Sequence, residues 1–257
     1  RDSPSAAGTG LPAITALRGL ADLTVRPAAE RFHSHRGWLN SHHSFSFGGH
    51  DDPAWRGFGP LLVINDDRLA AGGGFGMHPH RDMEIVTVMV EGVLRHRDSM
   101  GHSEELRAGE VQRMSAGTGI VHSEINSTDQ PCRLLQIWIL PSSAGIEPSY
   151  EQRAFEPRPG WTPLLDPAGA GGALAIHRPV RLWRGRPDGT PLSLPQAGDT
   201  PGWIQVISGR LSLRLDRPQG ACEAVLEEGD GVGFGPGCFG SVEALEEGAD
   251  LLVFELR

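Results

Sequence analysis

Four side chains in two short segments are of the types that bind transition metals. In GGGFGMHPHRDMEIVTVMVEG, His78 and His80 are two residues apart. Side chains on a strand alternate between its faces, so this spacing turns both imidazoles to one side, where they can meet a single ion. By itself the pair is weak evidence, because the chain has 11 histidines and a second His-x-His at His33 and His35. The weight comes from MSAGTGIVHSEINS, where His122 and Glu124 repeat the spacing behind a glycine-rich bend that would let a strand turn towards a barrel interior. Two such pairs on facing strands supply three imidazoles and a carboxylate. That mixed nitrogen and oxygen set suits a divalent transition metal, with one or two positions left for water, substrate or oxygen. Glu84 shares a face with His78 and His80 by the same alternation, and spacing does not choose between Glu84 and Glu124 as the carboxylate.

Strands must position these groups, and the composition favours strands. Of 257 residues, 35 are glycine and 20 proline, about a fifth of the chain, a density of turns that suits short strands rather than long helices. Segments such as LRHRDS and LSLRLD alternate apolar and polar residues, while IVTVMV (85–90) is a continuous run suited to a strand buried on both faces. GGGFGMH leads into strand rather than helix, against a dinucleotide loop. Short helices are expected only near PAITALRGL and PSYEQRAF. An internal repeat divides the chain: VMVEGVLRHRD with ELRAGEVQRMSAGTGIVHSEI is echoed by QVISGRLSLRLD with VLEEGDGVGFGPGCFGSVEA. The expected layout is a flexible lead-in over residues 1–24, a metal-bearing β-barrel over 25–150, a Pro/Gly-rich linker over 151–170, and a second barrel over 171–257. The second barrel has no histidines at the corresponding positions, LSLPQAGDT and GPGCFGSVE, and is expected to be structural.

Several function classes are excluded. All 23 basic residues are arginine, and without lysine there is no Schiff base to pyridoxal phosphate and no Walker A loop. A net charge of -9 without a basic run argues against direct nucleic-acid binding. No apolar run approaches the roughly 18 residues of a membrane span, and cytoplasm is the expected compartment. Cys132, Cys222 and Cys238 are too few and too scattered for a disulfide framework and are expected to be reduced thiols.

The spacing Gly72, His78, His80, Glu84 and a late closing Gly92 resembles the cupin pattern. Together with GFGPLLVINDDR, HPHRDMEIVT, QRMSAGTGIVHSE and LLQIWILP, it resembles the pirin family of bicupins over residues 25–155 or so. The resemblance implies an all-β fold of two cupin-type barrels. It also implies His78, His80, His122 and Glu124 as metal ligands, with iron(II) the first choice and nickel, copper, manganese or zinc alternatives. Glu84 then supports the site from behind. The implied activity is that of a quercetin 2,3-dioxygenase acting on a small phenolic substrate and dioxygen, with Glu124 doubling as a catalytic base. The alternative implied by the family is an iron-binding redox sensor that acts through a protein partner. Of the remaining residues, His43, Phe45 and Phe47 share a face by alternation and are candidates for a substrate entrance; His96, His102 and His177 are expected at the surface or in turns, and Cys132 and Trp138 in the core.

Overall fold

The computed structural model describes residues 8–257. Its first strands are β1 (Leu23–Arg26), β2 (Phe32–Arg36), β3 (Leu39–His43), β4 (Leu61–Leu69), β5 (Gly74–His80), β6 (Glu84–Glu91), β7 (Val93–Asp98), β8 (Ser103–Arg107), β9 (Glu110–Ser115), β10 (Ile120–Ile125), β11 (Cys132–Ile139) and β12 (Ser149–Ala154). The rest are β13 (Gly160–Asp166), β14 (Leu174–Ala175), β15 (Arg181–Arg186), β16 (Leu192–Ser193), β17 (Gly202–Ser208), β18 (Arg210–Arg217), β19 (Gly220–Glu227), β20 (Gly231–Phe234), β21 (Phe239–Ala244) and β22 (Asp250–Glu255). Helix is confined, among the described residues, to four short 3₁₀ turns.

The repeat seen in the sequence is a repeat of structure. One unit faces a seven-stranded sheet, β12-β9-β6-β11-β4-β3-β2, with a four-stranded sheet, β5-β10-β7-β8. The other faces β1-β20-β17-β22-β15-β13-β14 with β16-β21-β18-β19. The orders correspond strand for strand, β6 to β17, β11 to β22, β5 to β16 and β10 to β21. The chain is therefore all-β and bicupin in organisation, with each unit built from two facing open sheets.

Alternation explains the continuous apolar runs. The two seven-stranded sheets pack against each other, so Val86 and Val88 of β6, Leu135 and Ile137 of β11, and Leu252 and Phe254 of β22 meet in one shared core. The intervening residues face inward within their own unit. In the second unit they are apolar, and Ile204, Val206, Leu213, Val232, Phe234 and Val253 fill its interior. In the first unit the inner apolar clusters are small, one around Met89, Leu94 and Leu134 and one around Ile85 and Met114. Polar side chains take the rest of that space.

Three expectations about the segments change. Residues 1–7 of the expected lead-in lie outside the described residues, but residues 8–24 are packed on the second unit: Ile14 and Leu17 of a 3₁₀ turn (Ile14–Leu17) join its core, and β1 pairs with β20. The expected linker, 151–170, is mostly strand, since it contains most of β12 and all of β13. PSYEQRAF is strand rather than helix, because β12 pairs along its whole length with β9; a backbone partner in the tertiary structure outweighs a weak local helix preference. Each unit thus borrows an edge strand from sequence outside its own repeat, β1 for the second and β12 for the first.

Candidate metal centre

The ligand-type residues stand on the two neighbouring strands β5 and β10. Antiparallel register sets His122 opposite His78 and Ile120 opposite His80, and a bulge follows between His122 and Glu124. Backbone approach here is very close. A Cβ on Gly74 would lie 2.5 Å from the Ile125 Cα and 2.6 Å from the Glu124 carbonyl oxygen. The bend before β10 also needs glycine: Gly117 has φ +50°, and a Cβ there would lie 2.0 Å from the Ile146 carbonyl oxygen.

This register brings the three imidazoles together. Their ring centroids are 4.4 Å (His78–His122), 4.8 Å (His78–His80) and 4.8 Å (His80–His122) apart. One ligand atom from each lies within 4.8 Å of the others, so the three could hold one metal ion. His78 Nδ1 is 2.6 Å from the Gly76 carbonyl oxygen, which can only accept, so Nδ1 carries the proton and Nε2 is the free donor atom. His78 Nε2 and His122 Nε2 face each other at 2.9 Å, as two lone pairs directed at one cation would. Burial, and then His78, lowers the pKa of His80 to about 4, and burial lowers that of His122 further. Neutral imidazoles are the form that binds metals. The donor set therefore fits a divalent transition metal on its chemistry and its geometry.

Glu124 lies beside the triad, its Oε1 3.5 Å from His122 Nδ1. Gln136 Nε2 donates to that same oxygen at 3.0 Å, and Trp138 Nε1 donates to Gln136 Oε1 at 3.2 Å. Burial first, and the charge of Asp67 second, push the Glu124 carboxyl up to about 7. Glu84 points elsewhere. It is fully buried at the start of β6, and its Oε1 accepts from the backbone N–H of His177 at 2.8 Å, with His177 Nδ1 at 2.7 Å.

A cavity of about 300 Å³ opens onto His78, His80 and Glu124. Leu39, Phe47, Phe75 and Trp138 supply apolar wall, and Ser41, His43, Asn65 and Asp67 supply a polar one. Of the three residues expected at an entrance, His43 and Phe47 line this cavity. Phe45 does not: it is 1% exposed and packs on Trp203 of the other unit, ring centroids 5.0 Å apart. The strand ends at His43, so alternation no longer groups Phe45 with it. Trp138, expected in the core, is a cavity wall with its ring 5.2 Å from that of His80. His96, expected at the surface, is fully buried, its Nε2 donating to Asp98 at 2.6 Å. His33 and His35 sit exposed on β2, His33 stacked on His42.

Sequence reasoning missed Asp67, Asn65, Ser41 and Gln136. The signal was in LLVINDDRL and LLQIWIL, where a polar residue interrupts an otherwise apolar strand. Asp67 is fully buried, receives the Ser41 hydroxyl, and is pushed up to about 7, chiefly by burial. In the second unit, the equivalent strands place Leu192 opposite Val242.

A duplicated two-sheet fold with converging imidazoles on the four-stranded sheet of one unit defines a bicupin with a metal-type site. The chain belongs to the pirin family: the family model described as Pirin matches residues 25–139. It is 47% identical over 191 residues to a quercetin 2,3-dioxygenase of Escherichia coli, covering 74% of this chain and 83% of the relative. It is 40% identical to a putative quercetin 2,3-dioxygenase, Mb0187c, of Mycobacterium bovis, covering 92% of this chain and 96% of that protein. Among solved structures, it resembles the bacterial pirin YhhW from Escherichia coli in complex with nickel(II), with TM-score 0.83, 40% identity, and coverage of 91% of this chain and 99% of that one.

Proposed function

We propose that this protein is a metal-dependent dioxygenase of small phenolic substrates, of the flavonol type that quercetin represents. One observation carries the reading: two of three converging imidazoles, His78 and His80, and a carboxyl of raised proton affinity, Glu124, face a single cavity large enough for a ring compound, with His122 closing the triad from behind. Support comes from the relatives named quercetin 2,3-dioxygenase and from the nickel(II) complex of a pirin. His78, His80 and His122, with Glu124, would hold the divalent metal, iron(II) by preference. When bound, the metal supplies a Lewis acid that acidifies a coordinated substrate hydroxyl and a template for dioxygen.

The chain's own groups do the rest. Phe47, Phe75 and Trp138 clamp an aromatic ring and exclude water. Gln136 ties one oxygen of Glu124, leaving the other to take the hydroxyl proton. A carboxyl near 7 is a competent acceptor at neutral pH, a role worth about 10² to 10⁴ in rate. Asp67 and Asn65 offer hydrogen bonds to further hydroxyls on the substrate.

The test is oxygen uptake on adding quercetin to protein reconstituted anaerobically with Fe(II), with His78→Ala/His122→Ala as the blank. Uptake by the wild type alone supports the dioxygenase. No uptake from protein shown to hold its metal sinks it and favours the second reading, an iron-dependent sensor acting through a protein partner. That reading has one structural observation of its own: Met77, Val121 and Ile125 are exposed on β5 and β10, the strands whose alternate residues are the ligands.

A further inference from the structure

Behind His122 the interior of the first unit holds four polar atoms with no hydrogen-bond partner among the described residues: His122 Nδ1, His96 Nδ1, Gln112 Nε2 and Thr87 Oγ1. All four residues are 0% exposed. They come from four strands, β10, β7, β9 and β6. Orphaned buried groups are rare and costly, and four around one metal ligand call for a common explanation.

Pairwise contacts link the four residues in a ring. The His96 ring is 5.6 Å from that of His122. Tyr150 packs on His96 at 4.6 Å and brings its hydroxyl within 3.0 Å of Gln112 Oε1. Gln112 stands directly opposite Thr87 in the register of β9 and β6. Thr87 faces the Glu124 carboxyl, and Glu124 Oε1 returns to His122 Nδ1 at 3.5 Å, closing the circuit.

The donors and acceptors balance. His122 turns Nε2 towards His78, so its Nδ1 carries a proton and needs an acceptor. His96 donates Nε2–H to Asp98, so its Nδ1 is a lone pair and needs a donor. Gln112 Nε2 is a second donor, and the Thr87 oxygen, its own hydrogen turned to the Glu124 carboxyl, is a second acceptor. Two donors and two acceptors are the complement of one water molecule, and buried waters characteristically satisfy such groups.

We infer that a single buried water joins His122 Nδ1 to His96, Gln112 and Thr87, so that the His96–Asp98 pair is a positioning element for the metal ligand His122. Metal-bound histidines almost always donate their second N–H to a carboxylate, carbonyl or water, which fixes the ring and raises its basicity. Here the carboxylate is Asp98, acting through His96 and the water. Asp98 is itself anchored by the backbone N–H of Met100 at 2.8 Å and by His102 Nδ1 at 3.0 Å.

The inference rests on the reading of the triad as a metal site. The test is nickel(II) affinity by competition calorimetry, together with a high-resolution crystal structure of the nickel-loaded protein. His96→Phe is expected to weaken nickel binding by about 10- to 100-fold, the usual loss when such support is removed. His96→Gln, which keeps an acceptor, is expected to recover most of that affinity. Thr87→Val, nearly isosteric, is expected to weaken binding by a few-fold and carries the test if His96→Phe does not fold. The crystal structure should show one water within hydrogen-bond distance of all four atoms. Nickel affinity unchanged in His96→Phe or Thr87→Val, or no water at that point, overturns the inference and leaves the metal centre standing. Wild-type protein that binds no nickel overturns the metal reading itself.

Discussion

Glu124 differs from the three imidazoles in what its environment asks of it. A carboxyl sealed among Asp67, Thr87 and Gln136 holds its proton to about 7, and Asp67 does the same. In both, the folded-state pKa lies above the unfolded value, so the metal-free protein binds more protons than its unfolded chain across this window. The stability they contribute is fully present below pH 4 or so and is lost as pH rises through about 7. Buried His80 and His122, held neutral in the metal-free fold, act in the opposite sense over the same range, so the carboxyl contribution is read as a difference between wild type and a Glu124 variant rather than from the wild-type Tm alone. From pH 5 to pH 8 the metal-free wild type should lose more stability, or gain less, than Glu124→Gln, as thermal denaturation across pH would show; equal pH dependence in the two would mean that Glu124 does not titrate there. The same substitution should cut turnover by about 10² to 10⁴. Steady-state kinetics on metal-matched samples decides this, and full turnover with full metal content would remove Glu124 from the mechanism.

The pairing of β5 with β10 turns four residue types into a site. Its register sets His122 opposite His78, and its bulge shifts Glu124 relative to the facing strand. Gly74 permits this pairing, since a Cβ there would collide with the backbone of Glu124 and Ile125. Gly74→Ala should force the two strands apart, costing about 1–3 kcal/mol. At this chain length that lowers Tm by roughly 2–4 °C per kcal/mol. Nickel affinity should fall in parallel, because the triad spans the displaced strands. Calorimetry showing wild-type affinity in this variant would mean that the ligand geometry tolerates the shift. By contrast, the corresponding pair β16 and β21 needs no such register, for it packs apolar side chains on a filled interior.

Across the whole molecule, the two units are bound by their large sheets, and Glu84 helps to bind them. It is fully buried in the first unit yet bonded to His177 in the second, with Ser115 3.1 Å from the same His177 nitrogen. The buried pair Arg133–Asp66, at 2.8 and 2.9 Å, extends the join, with Arg133 also reaching the Ile207 carbonyl oxygen at 2.7 Å. Glu84→Gln should lower stability by about 1–3 kcal/mol through weakened bonds at His177 while leaving nickel affinity unchanged. Loss of nickel binding in this variant would instead make Glu84 the carboxylate ligand. The second unit thus gives the first a rigid apolar floor, which lets the first spend its own interior on polar groups.

The period-two spacing of His78/His80 and His122/Glu124, the repeat, and the turn density were enough to specify an all-β chain with two units and a cluster of ligand-type side chains in one of them. Those features are local, and alternation along a strand needs no knowledge of its neighbours. What the tertiary structure decided depends on which strands meet. Glu84 and Glu124 are equivalent by spacing, and only packing turns one towards the second unit and the other towards the imidazoles. Phe45 and His96 are both buried against expectation, because a strand ends at His43 and because β7 pairs with β10 and sets His96 opposite Glu124. PSYEQRAF becomes strand, and Ile14 and Leu17 become core, because edges far away in sequence needed covering. Residue type and period are written in the chain itself, whereas register, strand ends and the partner of a buried charge are properties of contacts between distant segments.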